Sequence, residues 1–203
     1  GSADAAVAGG APTLAPGTAL PLTRMGRGGQ PCVLILLTHP RKAMTAVMIA
    51  RLVDRGVLSW ESTIGGVLRD MSGDVRPEYR AITLQQLLTH TSGLPENIRD
   101  EKALNSLFYD ESSASLSERR RAYIARALQD APVGRAGRFS YSNTGFLIAA
   151  FMAETASKDT YESLMRDEVF TPLGMTSAGF GRPPTGQPTG HRQGRIAVPR
   201  DVN

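Results

Sequence analysis

The stretch Ile82-Thr-Leu-Gln-Gln-Leu-Leu-Thr-His-Thr-Ser-Gly-Leu-Pro95 constrains this chain more than any other. It reads as a short helix with both ends marked. Thr83 is a good N-cap, because its hydroxyl can accept from a free N–H of the first turn, and Gln86 can reciprocate in a capping box. Leu84, Leu87 and Leu88 share one apolar face at helical spacing. Gly93 suits a left-handed position at the C-terminal end, and Pro95 prevents continuation.

The segments around it also read mainly as helices. Pro40 fits the first turn of a helix and Gly56 its end. Between them, apolar residues from Ala43 to Val53 surround almost the whole circumference, the pattern of a helix buried in a domain centre. Lys42 then sits at the amino end of a core helix. Ile64 to Met71 is a short amphipathic piece. Asn97 to Ser117 reads as a long, partly helical surface loop. Ser117 can cap a helix to about Asp130, with Tyr123, Ile124, Ala127 and Leu128 on its apolar side. Arg138 to Phe146 enters another buried helix, with Leu147, Ile148, Phe151 and Met152 as its apolar set. Thr160 caps a further helix that Thr171-Pro-Leu-Gly-Met175 breaks. Val33-Leu-Ile-Leu-Leu37 is the one run that reads as a buried strand. Residues 1–30 read as a flexible leader, 61–180 as a mainly helical region and 181–203 as a Gly/Pro-rich loop.

Composition excludes more than it selects. A chain of 203 residues with 41% apolar content can bury a substantial core. The net charge of +4 is modest, and no aromatic-interleaved basic stripe accompanies it, so no nucleic-acid partner is expected. The Arg119-Arg120-Arg121 run reads as a solvated helix face, with Arg120 turned toward the apolar arc, where it must snorkel or pair. A single cysteine, Cys32, forms no internal disulfide. No apolar run approaches the length of a transmembrane helix. The first residues lack the order of a signal peptide, and no compartment or oligomeric state is indicated. The three histidines show no metal-ligand spacing.

Leu87-Leu-Thr-His-Thr-Ser-Gly-Leu-Pro95 closely resembles a segment of the serine β-lactamase-like hydrolases, a family that includes class C β-lactamases, D-Ala-D-Ala carboxypeptidases and related esterases. Lys42 and the helix after it, Tyr141-Ser-Asn143, Pro172-Leu-Gly-Met175 and Gly190-His191 fall in the family's order. The resemblance covers roughly Lys42 to His191. It implies an α/β fold with a helical region, of which this chain holds mostly the helical half, the C-terminal part of the α/β half being absent. It implies acyl transfer to an amide or ester through an acyl-serine, with a small molecule or peptide as substrate and no metal or organic cofactor. Lys42 would activate the serine, Tyr141 would shuttle protons and Asn143 would orient the substrate.

The departures are equally specific. The serine of this family stands three residues before the lysine, where this chain has His39, and no serine lies between Ser2 and Ser59. The resemblance begins abruptly near Arg41, the pattern expected of a frame error or fragmentary gene upstream of Lys42. No Lys-Thr-Gly or His-Thr-Gly follows His191. The polypeptide as written is therefore expected to show little or no acyl transfer. The competing reading is a non-catalytic relative or gene remnant that binds without turnover. His39 reads as a loop or helix-start residue, His90 as a structural residue satisfying helix carbonyls, and Ser92 as part of a turn.

Overall fold

The structure, a computed structural model, describes residues 40–108, 115–180, 191–192 and 195–196. All fall in one compact unit, Ile35–Asn203. The expected leader, the strand Val33-Leu37, Cys32, His39 and Gly190 lie outside the described residues.

The described residues are mainly helical. Helix α1 (Pro40–Asp54) is followed by α2 (Ile64–Val67), a 3₁₀ turn (Arg69–Met71) and α3 (Pro77–Arg80). Next come α4 (Leu84–Leu88), α5 (Glu101–Phe108), α6 (Leu116–Ala127), α7 (Asn143–Ser157) and α8 (Tyr161–Met165). Helix α8 runs on into a π-helical turn, Arg166–Phe170. Strand pairing is confined, among the described residues, to β1 (His191–Arg192) against antiparallel β2 (Arg195–Ile196), plus a bridge from Thr63 to Thr83.

Helix α7 is the centre. Ile148, Ala149, Met152 and Ala153 are fully buried, and it packs against α1, α4 and α6. Leu84 and Leu87 of α4 are also fully buried. Gly145 permits the close approach of these two helices, since a Cβ there would stand 3.0 Å from the Leu87 carbonyl oxygen. The α4 cap forms as its sequence demands: Thr83 Oγ1 accepts from the Gln86 N–H (3.2 Å), and Gln86 Oε1 accepts from the Thr83 N–H (3.0 Å).

Several expectations are corrected. Helix α1 is not buried on all sides: Met48, Ile49 and Leu52 face the core, but Val47 is 48% exposed. The N-cap of α6 is Ser115, not Ser117, because Glu118 stands three residues after Ser115 and closes the capping box. Ser117 is then free to donate to Glu154 (3.3 Å). The helical part expected in the loop after Asn97 is α5. Helix α4 stops at Leu88, and the left-handed residue just beyond it is His90 (φ 58°); Gly93 (φ 74°) lies further round the turn. The arginine run divides as its helical arc implies, with Arg121 at the exposed face and Arg120 turned inward to pair. Arg120 is 5% exposed and pairs with Glu154 and Glu162, while Arg121 pairs with Asp70.

Candidate active site

Lys42 lies in the first turn of α1, where the amino end of the helix brings it beside the amino end of α7. That end of α7 is tightly specified. Ser142 is its N-cap: its Oγ accepts from the Gly145 N–H (3.1 Å) and donates to the Pro95 carbonyl (2.7 Å). The first two N–H groups of the helix, on Asn143 and Thr144, both donate to the Glu96 carbonyl. The free donors of a helix start are thereby satisfied by the turn after α4. Tyr141 and Asn143 stand one residue either side of the cap.

Three side chains meet there. Lys42 Nζ donates to Tyr141 Oη and to Asn143 Oδ1, each at 2.8 Å. Tyr141 Oη in turn donates to Asn143 Oδ1 at 3.1 Å. The Lys42 ammonium also stands 5.0 Å from the centroid of the Tyr141 ring and 5.8 Å from that of Phe146. Among the described residues no carboxylate pairs with it. Its partners are neutral oxygens and aromatic faces, which orient a lysine without fixing its charge.

The donor and acceptor inventory shows what remains available. Asn143 Oδ1 has both lone-pair sites filled, and one Nδ2 hydrogen goes to Asn97 Oδ1 (3.2 Å). One amide hydrogen of Asn143 and one hydrogen of the Lys42 ammonium have no partner among the described residues. Tyr141 is 38% exposed, so the cluster is open to solvent. It can offer hydrogen bonds to a carbonyl or anion and can pass a proton between an amine and a phenol.

Sequence reasoning missed two members of this site. Asn97 fixes the amide orientation of Asn143, and its place two residues after Pro95 was the only available signal. The other is His90, which does not satisfy helix carbonyls. Its Nδ1 accepts from the Ser142 N–H (3.1 Å), and its ring lies 4.6 Å from that of Tyr141 and 5.2 Å from that of Phe146. Burial, and then the positive charge of Lys42, hold its pKa below the usual value of 6.5. Ser92 is buried in the turn, with its Oγ facing the Leu94 N–H (3.4 Å), so it reads as structural.

A lysine, a tyrosine and an asparagine thus converge at the amino ends of α1 and α7. The Beta-lactamase family matches residues 41–202, and the chain belongs to that family. Penicillin-binding protein 4 of Amycolatopsis lactamdurans is 29% identical over 134 residues, covering 66% of this chain and 32% of that protein. The crystal structure of a penicillin-binding protein from Bacillus halodurans superposes with a TM-score of 0.52 at 28% identity, covering 69% of this chain and 40% of that one. An octameric penicillin-binding protein homologue from Pyrococcus abyssi gives 0.51 at 28% identity, over 66% and 30% of the two chains. The chain spans between about a quarter and a third of the length of the curated relatives it matches. Its fold is the mainly helical part of a β-lactamase-like hydrolase fold. No helix among the described residues is long and apolar enough to cross a membrane.

Proposed function

We propose that this chain carries the proton-transfer and substrate-holding part of a serine-hydrolase site acting on an amide or ester: a β-lactam, a D-Ala-D-Ala peptide or a simple ester. The observation that supports it is the contact triangle of Lys42, Tyr141 and Asn143. In the acyl-transfer chemistry of the family, a serine oxygen attacks the carbonyl carbon while its proton leaves to a base. Lys42 in its neutral form would take that proton. Tyr141, hydrogen-bonded to Lys42, would deliver a proton to the departing amine or alkoxide. The remaining Asn143 amide hydrogen would hold a substrate carbonyl. Two parts are missing from this sequence: the serine, with His39 at its position, and the Lys-Thr-Gly or His-Thr-Gly strand. We therefore read the chain as written as lacking turnover.

A reactive fluorescent penicillin, with mass-spectrometric mapping, tests this. The expected result is no stoichiometric adduct on the chain as written. With His39→Ser an adduct should form at position 39 and disappear when Lys42→Ala is added. An adduct elsewhere on the unaltered chain would contradict the assignment. The second reading, a binding protein without turnover, is favoured by His39 itself. It gains if the folded His39→Ser chain binds the probe reversibly but is never acylated.

A further inference from the structure

His90 is the residue around which the site is folded, and its chemistry gives it a second property. The segment from Val133 to Ser142 runs antiparallel beside the turn after α4. Val133 N–H donates to the Gly93 carbonyl, Gly137 N–H to that of Thr91 and Ser140 N–H to that of His90 (2.8 to 2.9 Å). The next link in this ladder is made by a side chain: the Ser142 N–H donates to His90 Nδ1. The left-handed backbone of His90 (φ 58°) turns its ring out of α4 and under the Tyr141 ring. Phe139 meets the same imidazole edge-on at 6.0 Å.

An acceptor at Nδ1 places the proton of the neutral imidazole on Nε2. Protonation makes Nδ1 a donor facing another donor, so that hydrogen bond cannot survive it. We propose that His90 is the positioning residue of this site: neutral, it holds Tyr141 and Asn143 against Lys42, and on protonation it releases them.

The surroundings of His90 set the direction. On α1 the group facing it is the Lys42 ammonium, which opposes a second positive charge. On the segment before α7 it is the Tyr141 phenol, and on α7 the apolar Phe146 ring. No carboxylate acts on it to favour the imidazolium. The site is therefore assembled at neutral pH and loosens in acid. This inference rests on the reading of Lys42, Tyr141 and Asn143 as one site, and it deepens that reading by naming what holds the three together.

The test uses the whole chain with tyrosine labelled with carbon-13 at Cζ. The five tyrosines give separate signals, and Tyr141→Phe assigns one of them. Acidification from about pH 8 to about pH 5 spans the range in which an imidazole changes charge. The Tyr141 signal should move with the same midpoint as the His90 ring signals, and the Ser142 amide should exchange about tenfold faster as its hydrogen bond is lost. In His90→Phe, which keeps a ring but no acceptor, the acid-dependent movement should vanish. Lys42→Met separates the two levels of the argument. If it leaves the Tyr141 signal unchanged at neutral pH, the three-residue site itself is wrong. If it shifts that signal, but His90 protonates without moving Tyr141, or the movement persists in His90→Phe, the positioning role is overturned. Should His90→Phe fail to fold, the coincidence of midpoints in the unaltered chain still decides.

Discussion

Helix α7 carries a polar cluster at each end, and the two are built on opposite principles. Near its C-terminal end, Glu154 is 5% exposed and accepts from Arg120 Nε (3.1 Å), Arg120 Nη2 (2.9 Å) and the Tyr161 N–H (2.8 Å). Glu162 also pairs with Arg120, so that one guanidinium stands between two carboxylates. Every charge there has an opposite charge in contact. At the N-terminal end, Lys42 meets, among the described residues, neutral oxygens and aromatic rings and no carboxylate. A buried network of opposite charges resists any change of ionisation, because neutralising one member leaves its partner less compensated in a poor dielectric. The Lys42 cluster is held by hydrogen bonds to neutral oxygens and by aromatic contacts instead.

The comparison yields graded tests. The largest effect belongs to Glu154→Ala, which removes one of the two carboxylates that hold the buried Arg120 and takes the acceptor from the Tyr161 N–H. It should cost about 3–5 kcal/mol of stability in urea unfolding. Gly93→Ala should follow. A Cβ there would lie 2.4 Å from the Gly134 carbonyl oxygen, on a backbone with φ 74°. The left-handed penalty of about 1–2 kcal/mol and an overpacking term of about 1–3 kcal/mol act together, and the turn carrying His90 should loosen. Thr83→Ala removes half of the α4 capping box and should cost about 1 kcal/mol. Lys42→Met should change stability by less than about 1 kcal/mol, since the lysine is only partly buried and forms no ion pair among the described residues. If Lys42→Met destabilised the chain as much as Glu154→Ala, the contrast between the two clusters would collapse.

Acidity adds a further contrast. Because burial and Lys42 lower the His90 pKa in the folded chain, the unfolded chain binds the proton more readily. The His90 contribution to stability is thus complete above the unfolded value of 6.5 and is lost as the pH falls through the folded pKa. Unfolding midpoints should therefore decline below that pH, and His90→Phe should flatten the decline. A pH-independent midpoint would show that His90 is not held neutral by its surroundings.

What was legible in the sequence depended on how local the cause was. The α4 capping box involves neighbours three residues apart and could be read directly. The α6 start offered two serines, and only the position of Glu118 chose Ser115 over Ser117. For Arg120 the need for a partner was legible, because the helical arc placed it among apolar residues. Which carboxylates answered it, 34 and 42 residues away, was not. The partnership of Lys42 with Tyr141 crosses 99 residues and was visible only through a family resemblance. The His90 partner is 52 residues away and is a backbone N–H, which no side-chain pattern announces.

The central claim is that Lys42 and the Tyr141–Asn143 pair form one coupled cluster. Its most direct test is the carbon-13 Cζ tyrosine spectrum of the chain beside that of Lys42→Met at neutral pH. The account predicts that the Tyr141 signal moves while those of Tyr79, Tyr123 and Tyr161, whose hydroxyls lie elsewhere in the core, stay in place. A Tyr141 signal that does not respond to the loss of Lys42 would contradict it.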